Sequence, residues 1–152
     1  MALTDGINHV ATVTDDLDRL VGFYQRVFEA EKLYEDREEG LRHALIRLGG
    51  ATVLHPFELP HRPAFPAKPL FERGRLDHLA LSVPTLESFI EVRHRLLDEG
   101  VSDGVVRDIG PLYSLGFADP DGVEVEVILM KGDWLDQPVR RRVDWEMLEF
   151  KA

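Results

Sequence analysis

Three histidines and one glutamate occupy matching places in two similar stretches of this chain. His9 lies in INHVATV, and His78 lies 69 residues later in LDHLALS, where both stretches read apolar, polar, His, apolar, Ala. A second side chain of ligand type follows in each copy, with His55 46 residues after His9. In the second copy Glu126 follows His78 by 48 residues. Imidazole and carboxylate groups bind divalent transition metals, so the pattern points to metal chemistry.

The repeat also predicts the elements that must position these side chains. A fixed internal period of this size is typical of a duplicated unit with several strands and one helix. Hydrophobic periodicity and turn residues predict the same order, strand, helix and three strands, in each copy. In the first copy these elements span 7–13, a helix capped by Asp15 or Asp16, 32–36, 41–48 and 51–57. In the second they span 76–83, a helix from Thr85 or Leu86 to Glu99, 104–108, 112–117 and 123–130.

These elements give an α+β domain made of two tandem βαβββ modules. We expect module 1 at about 5–58, a Pro-rich linker at 59–75, module 2 at about 76–130 and a tail at 131–152, all within a single domain 1–152. The tail has no counterpart in module 1 and carries large apolar residues with a basic run. Such a tail is expected to dock on this chain or on a neighbour.

Composition narrows the function. The formal charge of −10 and the pI near 5.0 argue against nucleic acid or an anionic membrane surface as partner, and favour a small-molecule substrate. Without cysteine, a metal must be held by imidazole and carboxylate. Since the sequence shows neither a signal peptide nor an apolar stretch of bilayer length, we expect a cytoplasmic protein.

Strand alternation predicts which side chains share a face. In the last strand Glu126 points away from an apolar set that would seat the helix, and in the third strand His43 and Arg47 take the corresponding polar face. One of Tyr113 and Ser114, ahead of the last turn, must also face this side. We take Glu126, His43 and Tyr113 as the predicted catalytic set, in a concave cavity with convergent polar groups.

Several motifs together resemble the vicinal oxygen chelate superfamily, which includes glyoxalase I, extradiol dioxygenases, fosfomycin resistance enzymes and bleomycin resistance proteins. They are the paired βαβββ modules with a histidine in each first strand, Phe23-Tyr24 in the first helix, and the turn Asp119-Pro120-Asp121-Gly122 leading to Glu126. The likeness covers roughly residues 6–130. It implies a curved mixed sheet or half-barrel with the helices on the convex side.

The resemblance also implies a ligand set. Family members hold a divalent metal with residues from the first and last strands of each module, which here are His9, His55, His78 and Glu126. Glu58 is an alternative to His55, since relatives of glyoxalase I usually carry Glu or Gln at that place. The donors suit Fe, Mn, Ni, Co, Cu or Zn, and no further cofactor is implied. A homodimer is implied as well, with the site formed within one chain or across two.

Two classes of function follow from the sequence. The first is a metal-dependent enzyme that acts on a small substrate with vicinal oxygens, by glyoxalase-type isomerisation or by extradiol-type dioxygenation. The second is a metal-free protein that sequesters a small molecule, as bleomycin resistance members do. A transferase that inactivates an antibiotic is a third hypothesis, which would need a cationic pocket that this acidic chain has few Lys residues to build.

Overall fold

The computed structural model describes Leu3 and residues 7–38, 40–60, 73–133 and 137–148. The chain divides into two compact units, Met1–Pro66 and Ala67–Ala152. This division falls inside the segment 59–75 that the sequence predicts as a linker. Most of that segment lies outside the described residues, and so do Trp134 and Leu135 of the tail.

Unit 1 is a four-stranded mixed sheet with one helix. Its elements are β1 (His9–Thr14), α1 (Leu17–Phe28), β2 (Glu31–Glu38), β3 (Leu41–Gly49) and β4 (Thr52–Glu58). The strand order is β1-β4-β3-β2, with β1 and β4 parallel and the other neighbours antiparallel. The first and last strands of the module are therefore adjacent, which brings their side chains together.

Helix α1 begins and covers the sheet for local reasons. The Asp16 side chain accepts a hydrogen bond from the Arg19 amide at 3.0 Å, as an N-cap should. Apolar residues at helical spacing then form one buried face. They are Leu17, Leu20, Val21, Phe23, Tyr24 and Val27. The same face of the sheet supplies Ala44, Ile46 and Leu54, all at most 1% exposed, so the opposite face is left for polar residues.

Unit 2 repeats this arrangement and adds one strand. Its elements are β5 (Leu79–Ser82), α2 (Leu86–Asp98), β6 (Val106–Asp108), β7 (Leu112–Ala118), β8 (Glu124–Met130), a short 3-10 helix (Arg142–Asp144) and β9 (Glu146–Leu148). The order is β5-β8-β7-β6-β9, again with the first and fourth strands parallel. The predicted α+β class with two βαβββ modules is confirmed.

The turn into β8 is built by one aspartate. Asp119 Oδ1 accepts hydrogen bonds from the amides of Asp121 and Val123 at 3.0 and 2.9 Å, and Gly122 takes a φ of 80°. Only glycine adopts this conformation without strain. The predicted turn thus sets the start of β8 and the facing of Glu126.

Part of the tail docks on unit 2 itself. β9 pairs antiparallel with β6. The buried Asp108 of β6 forms a salt bridge with Lys131, whose Nζ lies 2.8 Å from Asp108 Oδ1. Arg140 Nη1 lies 3.9 Å from the same carboxylate. Burial raises the pKa of Asp108, but the Lys131 hydrogen bond, the Gly110 amide and the charges of Lys131 and Arg140 outweigh it, so that the pKa lies below its ordinary value.

No helix in the described residues is long and apolar enough to cross a bilayer.

Candidate metal-binding and proton-transfer residues

The histidine and the glutamate predicted in unit 2 lie together. Ala80 of β5 pairs in register with Glu126 of β8, and His78 lies two residues before Ala80, on the same face. The small alanine leaves room between the two longer side chains. His78 Nε2 is 3.6 Å from Glu126 Oε2, and the imidazole is 46% exposed.

A second polar group hydrogen-bonds to each member of this pair, at the ring nitrogen or carboxylate oxygen that does not face the partner. His78 Nδ1 donates to Asp77 Oδ2 at 2.9 Å, because a carboxylate can only accept. The Ser114 hydroxyl donates a short hydrogen bond to Glu126 Oε1. His78 Nε2 and Glu126 Oε2 are the atoms left to meet a ligand.

Unit 1 places its two candidate ligands in the equivalent register. Ala11 of β1 pairs with His55 of β4, and His9 lies two residues before Ala11. The rings of His9 and His55 meet edge to face with centroids 5.5 Å apart. His9 Nδ1 donates to the Asn8 side-chain oxygen at 2.8 Å, which again leaves Nε2 available.

His43 joins this cluster from the neighbouring strand. Its Nδ1 is 3.0 Å from His55 Nε2, so the two rings share one proton in a hydrogen bond. Phe57 packs against both imidazoles, with centroids 5.5 Å from His43 and 4.2 Å from His55. Burial, and then the charges of His43 and His9, lower the pKa of His55 below its ordinary value. His55 therefore stays neutral at neutral pH.

The hydrogen bond between these rings couples their roles. If His43 donates through Nδ1, its own Nε2 carries a lone pair and can accept a proton from a substrate. If His55 instead donates through Nε2, its Nδ1 lone pair is free to bind a metal, while His43 Nε2 carries hydrogen and can only donate. With the pair neutral and bonded, His55 as a ligand and His43 as a base exclude each other.

The predicted catalytic residue Tyr113 lies on the other face of unit 2. Its ring packs against Phe89 of α2 with centroids 6.5 Å apart, and Lys131 Nζ sits 4.8 Å from the ring centroid. Strand alternation then puts Ser114 on the side of Glu126, where its hydroxyl bonds that carboxylate. The register of β7 places Ser114, rather than Tyr113, beside Glu126.

Glu58, the alternative fourth ligand, is occupied elsewhere. Its Oε2 accepts the Leu17 amide at 3.0 Å at the start of α1, and Arg42 Nη1 lies 3.3 Å from the same oxygen. An anion at a helix N-terminus satisfies free amides and meets the positive end of the helix dipole. Glu58 serves the helix side of the sheet, opposite to His55.

Arg107 is a further residue on the Glu126 face, and the sequence analysis did not single it out. It pairs with Ser114 across β6 and β7. Its Nη1 lies 3.9 Å from the point that a Cβ on Gly116 would occupy, and Gly116 pairs with Glu126. A glycine therefore leaves space for the guanidinium over the strand next to Glu126. Alternation along β6 and β7 was the signal that could have located it.

The donors fit a divalent transition metal in part. Within the described residues no three His, Asp or Glu side chains form a complete metal site. Two donors each about 2.1 Å from one ion lie roughly 3.0–3.6 Å apart, and the His78–Glu126 separation of 3.6 Å meets that requirement. A histidine whose Nδ1 is bonded to a carboxylate is also the usual second-shell arrangement of a metal ligand.

Comparison with known proteins agrees with this fold. The sequence model of the Glyoxalase/Bleomycin resistance protein/Dioxygenase superfamily matches residues 6–127, and the chain belongs to this superfamily. The predicted family is thereby confirmed.

Solved structures of similar fold include members with different activities. A glyoxylase/bleomycin resistance protein/dioxygenase domain from Frankia sp. EAN1pec is 24% identical with a TM-score of 0.69, over 86% of this chain and 96% of that one. The fosfomycin resistance protein FosX from Listeria monocytogenes, with Mn(II) and 1S,2S-dihydroxypropylphosphonic acid, is 21% identical with a TM-score of 0.58, over 86% and 95%. Lactoylglutathione lyase from Agrobacterium tumefaciens is 22% identical with a TM-score of 0.57, over 84% and 96%. At these identities the likeness shows the shared fold.

Proposed function

We propose that this protein is a divalent-metal-dependent enzyme whose metal ligands are His9, His78 and Glu126. The observation that carries the proposal is shared by both units. In each, the histidine at the start of the module has its Nδ1 bonded to the side chain just before it, so that Nε2 keeps a lone pair for a metal. In unit 2 that nitrogen lies beside a carboxylate oxygen at ligand spacing.

His55 is assigned to proton transfer rather than to the metal in this proposal. Its Nε2 is bonded to His43, and its lowered pKa suits a neutral hydrogen-bond acceptor. The tautomer that follows has His43 donating through Nδ1 and presenting Nε2 as a general base. The sequence prediction of His55 as a fourth ligand remains the alternative, through Nδ1, and it would turn His43 into a general acid.

The reaction that best suits these groups is a proton transfer on a substrate with vicinal oxygens. His9, His78 and Glu126 would hold a divalent metal, which would supply Lewis-acid polarisation of those oxygens. His43 then accepts the substrate proton on Nε2, and His55 and Phe57 hold its ring in place. Ser114 orients Glu126, which we propose as a metal ligand and, as the sequence predicts, as a catalytic residue. Arg107 offers a cation for a negatively charged substrate oxygen.

One feature favours dioxygenation as a second candidate. Two histidines and one carboxylate are the donor set of oxygen-activating Fe(II) sites. FosX, which has a similar fold, is seen with Mn(II) and a diol phosphonate, and we propose a metal and a vicinal-oxygen ligand for this chain by analogy. Oxygen uptake with catechols under Fe(II), compared with solvent deuterium exchange into hydroxyketones under Mn(II) or Ni(II), separates the two reactions.

Metal content tests the proposal against sequestration. Protein purified without chelator is analysed for transition metals and then titrated with Mn(II), Ni(II), Zn(II) and Fe(II). We expect stoichiometric binding that His9→Ala and His78→Ala each weaken. The sequestering class would be supported if the wild type binds none of these ions and if the wild type and both variants bind small apolar ligands equally well.

We also propose that the protein is a homodimer, as the resemblance implies. Light scattering gives the mass, and mixing His9→Ala with His78→Ala protein shows how the ligands are shared. Recovery of metal binding on mixing assigns the ligands to two copies of the chain. Failure to recover, with dimers still exchanging subunits, assigns them to one chain.

A further inference from the structure

A chain of polar contacts in unit 2 runs from an arginine to a serine through the proposed ligands. Arg75 Nη2 lies 3.9 Å from Asp77 Oδ1, and Asp77 Oδ2 accepts from His78 Nδ1 at 2.9 Å. His78 Nε2 faces Glu126 Oε2 at 3.6 Å, and Ser114 holds the other oxygen of Glu126. Each carboxylate thus uses its two oxygens for different partners.

The position of the histidine proton follows from Asp77. An ionised carboxylate has no hydrogen to give, so a neutral His78 must carry its proton on Nδ1 to make this bond. The lone pair is then on Nε2 and points toward Glu126. Without Asp77 the neutral ring can carry its proton on Nε2 and direct it at Glu126, which would occupy both groups that are meant to bind a metal.

We infer that Asp77 is a positioning residue that fixes the tautomer and orientation of His78 and so prepares its Nε2 to bind a metal. This inference rests on the proposed metal dependence. Asp77 precedes β5, its side chain is 26% exposed, and its Oδ1 faces the Arg75 guanidinium. Because a loop carboxylate at the surface adds little to the core, its contact with the imidazole is the effect to test.

In unit 1 an uncharged side chain makes the equivalent hydrogen bond to the histidine. Asn8 occupies the position of Asp77 and bonds His9 Nδ1 with its amide oxygen at 2.8 Å. A carboxylate makes the stronger, charge-assisted hydrogen bond and raises the basicity of the ligand nitrogen. We therefore expect the His78 side to hold a metal more tightly than the His9 side.

Three variants test the role of Asp77, each read by metal affinity and by the histidine tautomer. Removal of an outer-shell partner typically weakens metal binding about 10- to 100-fold, and we expect that loss for Asp77→Ala in competition with a chromophoric chelator for Zn(II). Asp77→Asn keeps an acceptor and should lose less. Asn8→Asp should tighten binding by introducing the charge on the other side.

The tautomer is read in metal-free protein by ring nitrogen NMR at alkaline pH, where imidazoles are neutral. We expect the Nδ1-H form of His78 in the wild type and in Asp77→Asn, and a shift toward Nε2-H in Asp77→Ala. Asp144→Asn, which alters a carboxylate of the tail, is the matched control. A merely structural role of Asp77 would lower thermal stability and leave the tautomer unchanged.

The outcomes separate this inference from the proposed function. Wild-type protein that binds no metal while Asp77→Ala still changes the tautomer would overturn the metal dependence and leave Asp77 as the residue that fixes the His78 tautomer. Wild-type protein that binds metal with an affinity equal to that of Asp77→Ala, and with the same His78 tautomer, would overturn the role of Asp77 and leave the proposed enzyme intact.

Discussion

The two units share the βαβββ topology and the register between their first and fourth strands, but they carry different side chains at the equivalent positions. Unit 2 carries one carboxylate beside its histidine, Asp77 next to His78, and another on its fourth strand, Glu126 of β8. Unit 1 carries the amide Asn8 and the imidazole His55, and His55 is bonded to a second imidazole, His43. In the function that we propose, unit 2 supplies the carboxylates that help to hold a metal, and unit 1 supplies the imidazole pair that moves protons. The difference lies in side chains, since the backbone pairing is equivalent.

The sharpest test of this division compares ligand loss in the two units. We expect Glu126→Ala and His78→Ala to reduce metal affinity by more than about 100-fold, beyond the effect of an outer-shell change, and to abolish stoichiometric binding. His9→Ala should retain measurable, weaker binding, because the charged pair remains. Isothermal titration with Mn(II) and Zn(II) measures both.

Glu124→Ala is the matched control, because Glu124 lies two residues before Glu126 on the same strand and is exposed. It should bind metal as the wild type does. Equal losses for His9→Ala and Glu126→Ala would break the comparison, since the two units would then contribute alike.

A second test separates proton transfer from metal binding. We expect His43→Ala to keep metal affinity and to lower turnover by about 100- to 10,000-fold, the usual worth of a general base. Solvent deuterium exchange into a hydroxyketone under Mn(II) provides the rate. His94→Ala, on α2, is the control histidine and should leave the rate unchanged.

The companion change is His55→Ala. Retained metal stoichiometry with a reduced rate would place His55 with His43, as proposed. Lost stoichiometry would instead make His55 the fourth ligand and His43 a proton donor.

A third test concerns stability in unit 1. Glu58→Ala removes the carboxylate that accepts the Leu17 amide and faces Arg42, so the free energy of unfolding should fall by about 1–3 kcal/mol, as when a partly buried partner is left unsatisfied. Chemical denaturation gives this value. Metal affinity should not change, and a clear loss of affinity would return Glu58 to the ligand set.

The smallest expected effect is a change in titration. The pKa of His55 lies below its ordinary value of 6.5 through burial and the charges of His43 and His9. A lowered folded pKa means that the unfolded chain binds the proton more readily, so the contribution of His55 to stability is present above about 6.5 and is lost as the pH falls through the folded value. In metal-free His43→Ala protein one of these causes is gone, and proton NMR should show the His55 pKa rising. An unchanged pKa would assign the shift to burial and His9.

Much of the fold could be predicted from periodicity and turns. The repeat of INHVATV in LDHLALS located both first strands. Asp16, one of the two expected caps, begins the first helix, and the second helix begins at Leu86, one of the two expected starts. Alternation placed Glu126 and His43 on the polar faces, because a strand with one apolar side is stable only when that side faces the core. β5 begins at Leu79, three residues later than expected, so His78 lies just before the strand.

The remainder depended on contacts that a linear pattern does not contain. Whether Tyr113 or Ser114 faces Glu126 depends on the pairing of β7 with β8, and either parity satisfies the sequence. In the sequence Asn8 and Asp77 are only polar residues next to a histidine, and nothing in the pattern shows that their side chains hydrogen-bond to the histidine rings. The bond between His43 and His55 needs the lateral order of β3 and β4, which fixes distances across strands.

The short strand β9 has a consequence for the edge of unit 2. Unpaired edge strands offer free amides and carbonyls to other chains, which leads to aggregation. β9 pairs with the free side of β6. Arg140, which precedes β9, holds this part of the tail in place through its contacts with Asp108 of β6 and Glu146 of β9. Truncation of the chain before Arg140 would expose the edge of β6. The shortened protein should then form higher-order assemblies at concentrations at which the full chain does not.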